Sequence, residues 1–253
     1  MKDEPKNVFR LSQSEALPQQ DPAETAGSRF NVFQLSQPEA VPEEDPAGTH
    51  SLKPLDRSAP ILKIRRTLPH WTQPGCTYFV TFRLADSVAA LVWKQWREQR
   101  ATWFETHPKP WDSETQNAYN AKFPAQMELW SDAGYGSCAL QDPALREIAV
   151  KSMHHFDGQH FSLGDQIVMP NHVHALVTPS ESHTLTEILT GWKRVSGHAI
   201  LKLTGLPKPF WMDEDFDHAV RSERQLRHFQ TYIAENPAKA KLAPGTWTHW
   251  TAS

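Results

Sequence analysis

Residues 160–178 read HFSLGDQIVMPNHVHALVT and contain two apolar runs separated by a Pro-Asn pair. The runs, 160–169 and 172–178, have the length and composition of β-strands, and Pro-Asn between them is typical of a turn. The stretch therefore predicts a pair of adjacent strands. His172 and His174 are two residues apart in the second strand, so both imidazoles are expected on one face of the sheet.

The segments on either side extend this pattern. Residues 76–84, CTYFVTFRL, predict an earlier strand, and residues 210–220 predict a later one. The predicted order is strand, helices, strand, strand, helix, strand, helix. This is the β-α-β-β-α-β scheme of a ferredoxin-like fold, an α+β class with an antiparallel sheet and helices on one face. Residues 107–140 are predicted to be an irregular insertion after the first strand.

Capping residues predict where the helices begin. The predicted N-terminal residues are Ser87, Asp142 before Pro143, Thr184 with Glu187, and Ser222 with Gln225, the last two pairs being capping boxes. Asn236-Pro237 is predicted to end or kink the last helix.

The N-terminal segment contains a duplication. Residues 7–25 and 31–49 match at thirteen of nineteen positions. Two copies are too few for a solenoid, and the Pro-, Glu-, Gln- and Ser-rich composition buries little apolar surface. We predict a disordered tail over 1–60, one domain over 61–242 and a C-terminal tail over 243–253. The duplication is either neutral or a docking peptide built on Val-Phe-x-Leu.

Composition and charge restrict the class of protein. The chain is 39% hydrophobic and 22% charged, which is typical of a globular protein. It shows no secretory or membrane-spanning segment, and two distant cysteines suggest a reduced compartment, so we expect a cytoplasmic protein without a membrane partner. Residues 1–50 hold four basic and nine acidic residues, a net charge of −5. Because the whole chain has a net charge of −3, the remaining residues carry +2. That charge permits a nucleic-acid partner but does not indicate one.

The candidate site residues each have an ordinary structural explanation as well. Two neighbouring imidazoles can bind a divalent metal, or they can be the polar face of an edge strand. Tyr232 and Asn236 are four residues apart and share one side of a helix. The tyrosine could equally be a core residue, and an asparagine before proline often ends a helix.

Five separated blocks of this chain resemble REP-associated tyrosine transposases, which belong to the HUH single-tyrosine family. The resemblance covers roughly residues 61–242, and its specificity comes from the agreement of the blocks in order. The blocks are YFVTFRLADS (78–87), HFDGQHFSL (155–163), VMPNHVHALV (168–177), GWKRVSGHAI (191–200) and FWMDEDFDHAVRSERQLRHFQTYIAENPAKAKL (210–242). The family often has Ala-Gly-Leu where this chain has Ala240-Lys241-Leu242.

The resemblance implies an HUH nuclease fold and a DNA strand transferase. His172 and His174 would be metal ligands, Asn236 a candidate third ligand and Tyr232 the nucleophile. Mixed nitrogen and oxygen ligands with open positions suit Mg²⁺ or Mn²⁺. The implied substrate is single-stranded DNA near a hairpin of repeated palindromic sequence, cut through a 5′-phosphotyrosine intermediate. We expect a monomer, with a dimer as the alternative.

Two other functions remain open on the sequence. One is a nucleic-acid-binding module without catalysis, and the other is a metal-dependent phosphoesterase that uses water as the nucleophile. Basic residues near the predicted site are candidates for phosphate contacts, although each could simply be solvated surface. They are Arg65, Arg66, Lys193, Arg194 and Arg221.

Overall fold

The computed structural model describes residues 53–56, 62–65, 69–73 and 75–252. Strands β1 (Leu62–Arg65) and β2 (Pro69–Thr72) pair with each other in a small antiparallel sheet. The duplicated segment lies outside the described residues, so the prediction of a disordered tail stays a prediction. Leu55 precedes the predicted start of the domain, yet it is buried in the main core.

The central sheet has five antiparallel strands in the order β6-β3-β5-β4-β7. The first four in this order give the ferredoxin-like arrangement that the sequence predicts, so the α+β fold class is confirmed. Their bounds are β3 (Tyr78–Arg83), β4 (Phe161–Val168), β5 (His172–Pro179) and β6 (Phe216–Ala219).

The fifth strand, β7 (Thr248–Trp250), pairs with β4 at the edge of the sheet. It lies within the predicted C-terminal tail, so the boundary at residue 242 was wrong. The guanidinium of Arg146 holds this segment, because it donates hydrogen bonds to the Gly245 carbonyl at 2.7 Å and the Thr248 hydroxyl at 2.9 Å. Such contacts between distant residues leave no pattern in a local window of sequence.

Helices cover both faces of the sheet. Helices α4 and α5 pack on one face over the main core, as predicted. The prediction of helices on one face only was wrong for α6, which packs on the opposite face. There Phe229 and Ile233 meet Phe79 and Leu176. The helices are α1 (Ala90–Thr106), α2 (Ser113–Lys122), α3 (Pro124–Asp132), α4 (Pro143–His154), α5 (Leu185–Thr204) and α6 (Glu223–Lys239).

The insertion after β3 is helical rather than irregular. Residues 107–140, predicted to lack regular structure, contain α2, α3 and a short 3-10 helix at Ala139–Gln141. Together with α1 they enclose their own core of aromatic side chains around Phe123 and Tyr119. The short, polar α2 has only Tyr119 buried, which explains why its sequence carries little helical periodicity.

The helix termini test the capping predictions. Asp142 caps α4, and Thr184 with Glu187 forms the complete capping box of α5. Ser222 caps α6, although the Gln225 side chain accepts from the Arg221 backbone instead.

One predicted helix start was wrong, and one predicted helix end is not observed. The prediction for Ser87 failed because α1 begins three residues later and the Ser87 hydroxyl donates to the Leu84 carbonyl. Asn236-Pro237 does not end α6, which continues to Lys239 with Pro237 inside it.

Candidate active site

The two histidines of β5 lie on the face of the sheet that α6 covers. Side chains alternate along β5, so Val173 and Ala175 enter the main core while His172 and His174 face the other way. Their ring centroids are 4.7 Å apart, and the exposed fractions of the two side chains are 1% and 2%. The predicted pair therefore exists as a buried, adjacent pair and not as the polar face of an edge strand.

Asn171 determines which nitrogen of His172 is free. The Asn171 amide group donates to the carbonyls of Ser131 (3.0 Å) and Tyr135 (3.2 Å), which leaves its oxygen 2.8 Å from Nδ1 of His172. The imidazole must then carry its proton on Nδ1 and keep a lone pair on Nε2. Nε2 of His172 is buried and has no hydrogen-bond partner.

His174 is oriented in the same way from β3 and α6. Its Nδ1 is 2.8 Å from the Thr81 hydroxyl, and its Nε2 is 3.3 Å from the amide nitrogen of Asn236. The ring also stacks on Phe79 with centroids 5.5 Å apart. Both imidazoles are thus fixed through Nδ1, which is the arrangement that outer-shell partners give to metal-binding histidines.

Tyr232 completes the group from α6. Its ring lies 5.2 Å from that of His174 and 5.7 Å from that of Phe79, both edge-to-face. Its hydroxyl is buried without a hydrogen-bond partner. A buried tyrosine with a purely structural role usually has its hydroxyl hydrogen-bonded. The geometry of Tyr232 therefore favours a functional role over a purely structural one.

Burial keeps both imidazoles neutral near neutral pH. It lowers the pKa of His172 to about 3, with a smaller contribution from the Arg83 guanidinium. The pKa of His174 is also well below its usual value, first through burial and then through His172 and Arg83. His172 Nε2 lies 4.0 Å from an Asp132 carboxylate oxygen. This contact is not an ion pair at neutral pH, because the imidazole is uncharged.

Glu128 and Asp132, one turn apart on α3, were missed by sequence reasoning. Burial raises the pKa of Glu128 to about 7, with Asp132 adding to the effect, and burial raises that of Asp132 to about 6. Each has one buried oxygen without a hydrogen-bond partner. Arg83 is buried and donates a short hydrogen bond to Ser131. Its charge acts on the two carboxyl groups and on both imidazoles. No spacing in the sequence connects α3 to the histidines.

The residues present fit a divalent cation with open coordination positions. Among the described residues, no group of three or more His, Cys, Asp or Glu side chains could hold a metal ion. The candidate ligand atoms are Nε2 of His172 and the Asn236 carbonyl oxygen, both buried without a hydrogen-bond partner, together with Nε2 of His174. A cation on Nε2 of His174 would replace its 3.3 Å contact with the Asn236 amide nitrogen. Two nitrogens and one amide oxygen leave room for substrate oxygens.

The predicted phosphate-binding residues that the structure describes are dispersed. Lys193 is engaged by Asp215 at 2.7 Å and by the Asp213 carbonyl. Arg194 is exposed on α5, across the sheet from the histidines. Arg221 is exposed and borders a cleft beside the histidines. Arg65 belongs to β1, but its side chain, like all of Arg66, is outside the described part. The structure does not group Lys193, Arg194 and Arg221, the described members of this set, around the site.

Comparison with known proteins gives similarities of fold only. No protein-family model and no curated protein matches the chain. Among solved structures, it is similar to a REP-associated tyrosine transposase bound to a REP hairpin, with 21% identity, a TM-score of 0.40 and coverage of 72% of this chain and 76% of the other.

A second similar structure is a provisionally assigned transposase from Deinococcus radiodurans R1, with 14% identity, a TM-score of 0.30 and coverage of 63% and 89%. Both are described as transposases.

Among the described helices, none has the length and apolar composition required to cross a bilayer.

Proposed function

We propose that this protein is a metal-dependent endonuclease and strand transferase for single-stranded DNA, with Tyr232 as its nucleophile. The observation that carries the proposal is the hydroxyl of Tyr232, buried without a hydrogen-bond partner on a ring 5.2 Å from that of His174. A phenol beside two Nδ1-anchored imidazoles and a buried amide oxygen is suited to attack on a phosphodiester.

The chain's residues divide this reaction between positioning and attack. The Tyr232 oxygen would form a bond to phosphorus while the bond from phosphorus to the 3′ oxygen breaks, leaving a 5′-phosphotyrosine and a free 3′-OH. The phenol loses one proton and the leaving oxygen gains one, so charge is conserved. Since a phosphodiester replaces a phosphodiester, the reverse reaction can join the strand to another 3′-OH without ATP.

His172, His174 and Asn236 would hold Mg²⁺ or Mn²⁺. The bound cation supplies Lewis-acid stabilisation of a non-bridging phosphate oxygen. The Asn171 amide oxygen keeps Nε2 of His172 unprotonated. The Thr81 hydroxyl, 2.8 Å from Nδ1 of His174, orients the second imidazole. The substrate that we propose is a hairpin of repeated palindromic DNA with an unpaired flank, as the sequence motifs imply.

The test is a covalent adduct assay. The full chain, Mn²⁺ and a labelled DNA hairpin with single-stranded flanks are incubated and separated on a denaturing gel, for wild type, Tyr232→Phe and the control Tyr135→Phe. Tyr135 is exposed, so its variant should behave as wild type. An adduct that only Tyr232→Phe loses supports the proposal.

Two results would contradict the proposal. Cleavage that persists in Tyr232→Phe would indicate a phosphoesterase that uses water, and binding by wild type without cutting would indicate a binding module.

A further inference from the structure

A cleft lined by aromatic side chains lies between the helical insertion and the sheet. Its aromatic wall consists of Trp93, Trp96, Phe104, Trp111 and Tyr119, and we call it the aromatic cleft. Its volume is about 210 Å³. That is below the roughly 300–1,000 Å³ of pockets for drug-sized ligands, so it suits one small ring system.

The aromatic cleft lies beside the candidate active site and shares two neighbouring residues with it. Phe79 and Thr81 line it, and both also contact His174, by ring stacking and by a hydrogen bond of 2.8 Å. Glu128 lines it one helical turn before Asp132, whose carboxylate is 4.0 Å from His172 Nε2. A DNA strand with a phosphate at the histidines would therefore place a neighbouring nucleotide at the cleft.

The wall presents flat rings in stacked pairs. Trp93 and Trp96 are stacked with centroids 5.0 Å apart, as are Phe104 and Trp111 at 5.3 Å. The Arg100 guanidinium lies 5.1 Å from the Phe104 ring centroid. It is held in place by the Tyr119 hydroxyl at 2.7 Å and by Glu214 at 3.3 Å. These contacts connect the Arg100 guanidinium to the rings of the wall.

The rings of the wall favour a flat occupant. Every nucleobase has a π-face that can stack on aromatic side chains. An alkyl side chain of a protein partner has none.

The charges at the aromatic cleft argue against a site for the phosphate backbone alone. Four cationic side chains there are opposed by three carboxylates, so there is little net positive field. They are Arg83, Arg100, Lys109 and Arg221, against Glu128, Glu214 and Asp215. Lys109 places its ammonium 4.7 Å from the Trp111 ring centroid. Stacking supplies the attraction instead.

We propose that the aromatic cleft binds one unpaired nucleobase of the DNA strand, next to the phosphate at His172 and His174. This rests on the proposed function, since it takes single-stranded DNA as the substrate. Stacking of one base on aromatic side chains contributes about 1–3 kcal/mol, or roughly 5- to 150-fold in affinity.

The test uses the full chain carrying Tyr232→Phe, so that the DNA is not consumed. Hairpin oligonucleotides carry the fluorescent base 2-aminopurine at each unpaired position in turn. We expect strong quenching at one position, lost when Trp93→Leu and Trp111→Leu are added. Quenching should be kept with Trp130→Leu, whose ring packs on the insertion but does not line the cleft. An abasic residue at that position should weaken binding roughly 5- to 150-fold.

The outcomes separate this proposal from the enzymatic one. Quenching that persists without the two rings, or equal affinity for abasic and intact DNA at every position, would overturn the nucleobase site. The abasic comparison needs no ring variant. It therefore tests the nucleobase site even if the variant with Trp93→Leu and Trp111→Leu unfolds. A wild-type adduct together with such a result would leave the tyrosine mechanism standing. Absence of any adduct would instead remove the proposed function.

Discussion

The amide nitrogen of Asn236 lies 3.3 Å from Nε2 of His174 and joins α6 to the central strand β5. Tyr232 precedes Asn236 by four residues, so the contact that seats the amide also sets the phenol against the imidazole. Apolar packing of Phe229 and Ile233 against the sheet holds the helix at this distance. One register of α6 therefore positions both the proposed nucleophile and a candidate ligand.

Asn236→Leu should impair the proposed metal site while keeping the volume of the side chain. The variant removes the only candidate oxygen ligand that α6 supplies. We expect at least about tenfold weaker Mn²⁺ binding by titration calorimetry and slower adduct formation. Asn117→Leu, on the exposed side of α2, is the matched control and should change neither. Unchanged Mn²⁺ affinity in Asn236→Leu would exclude the amide as a ligand.

Thr81 should act as a positioning residue through His174. Thr81→Val removes the hydroxyl 2.8 Å from Nδ1 and keeps the shape, whereas Thr81→Ser keeps the hydroxyl. Losing an outer-shell partner typically costs about 10- to 100-fold in metal affinity, so we expect this loss in the valine variant and recovery in the serine variant. If both variants bind Mn²⁺ equally, the hydrogen bond has no role in the site.

Arg146 should be needed to keep β7 on the sheet. Its guanidinium donates to the carbonyls of Leu140, Gln141 and Gly245 and to the Thr248 hydroxyl. Arg146→Met leaves these acceptors unsatisfied, and we expect the free energy of unfolding to fall by about 3 kcal/mol. Hydrogen exchange should show loss of protection at 248–250. Retained protection there would show that strand pairing alone holds β7.

His172 should make stability depend on pH. Its folded pKa is about 3, below the unfolded value of about 6.5, so between these values only the unfolded chain takes up the proton. Stability from this group is complete above pH 6.5 and declines as the pH falls toward 3, by at most about 1.4 kcal/mol per pH unit. Urea unfolding of wild type and His172→Gln should therefore give a shallower pH slope for the variant. Parallel curves would contradict the buried, neutral imidazole.

Local patterns account for the parts of the fold that the sequence predicted well. The capping box at Thr184 and the apolar spacing that follows it are contained within one helix, and α5 begins where they indicate. The helices of the insertion were missed because α2 buries a single side chain and thus lacks a periodic apolar face. β7 was missed because a three-residue strand is stabilised by its partner β4 rather than by its own composition.

The sequence by itself determined that His172 and His174 share a face of a strand and that Tyr232 and Asn236 share a side of a helix. Both follow from the fixed periods of strand and helix, which act over a few residues. Only the tertiary structure decided that these pairs meet, and that Glu128, Asp132 and the aromatic cleft of the insertion lie beside them. Those relationships depend on the packing of apolar faces that are distant in sequence, and no local spacing encodes which face meets which.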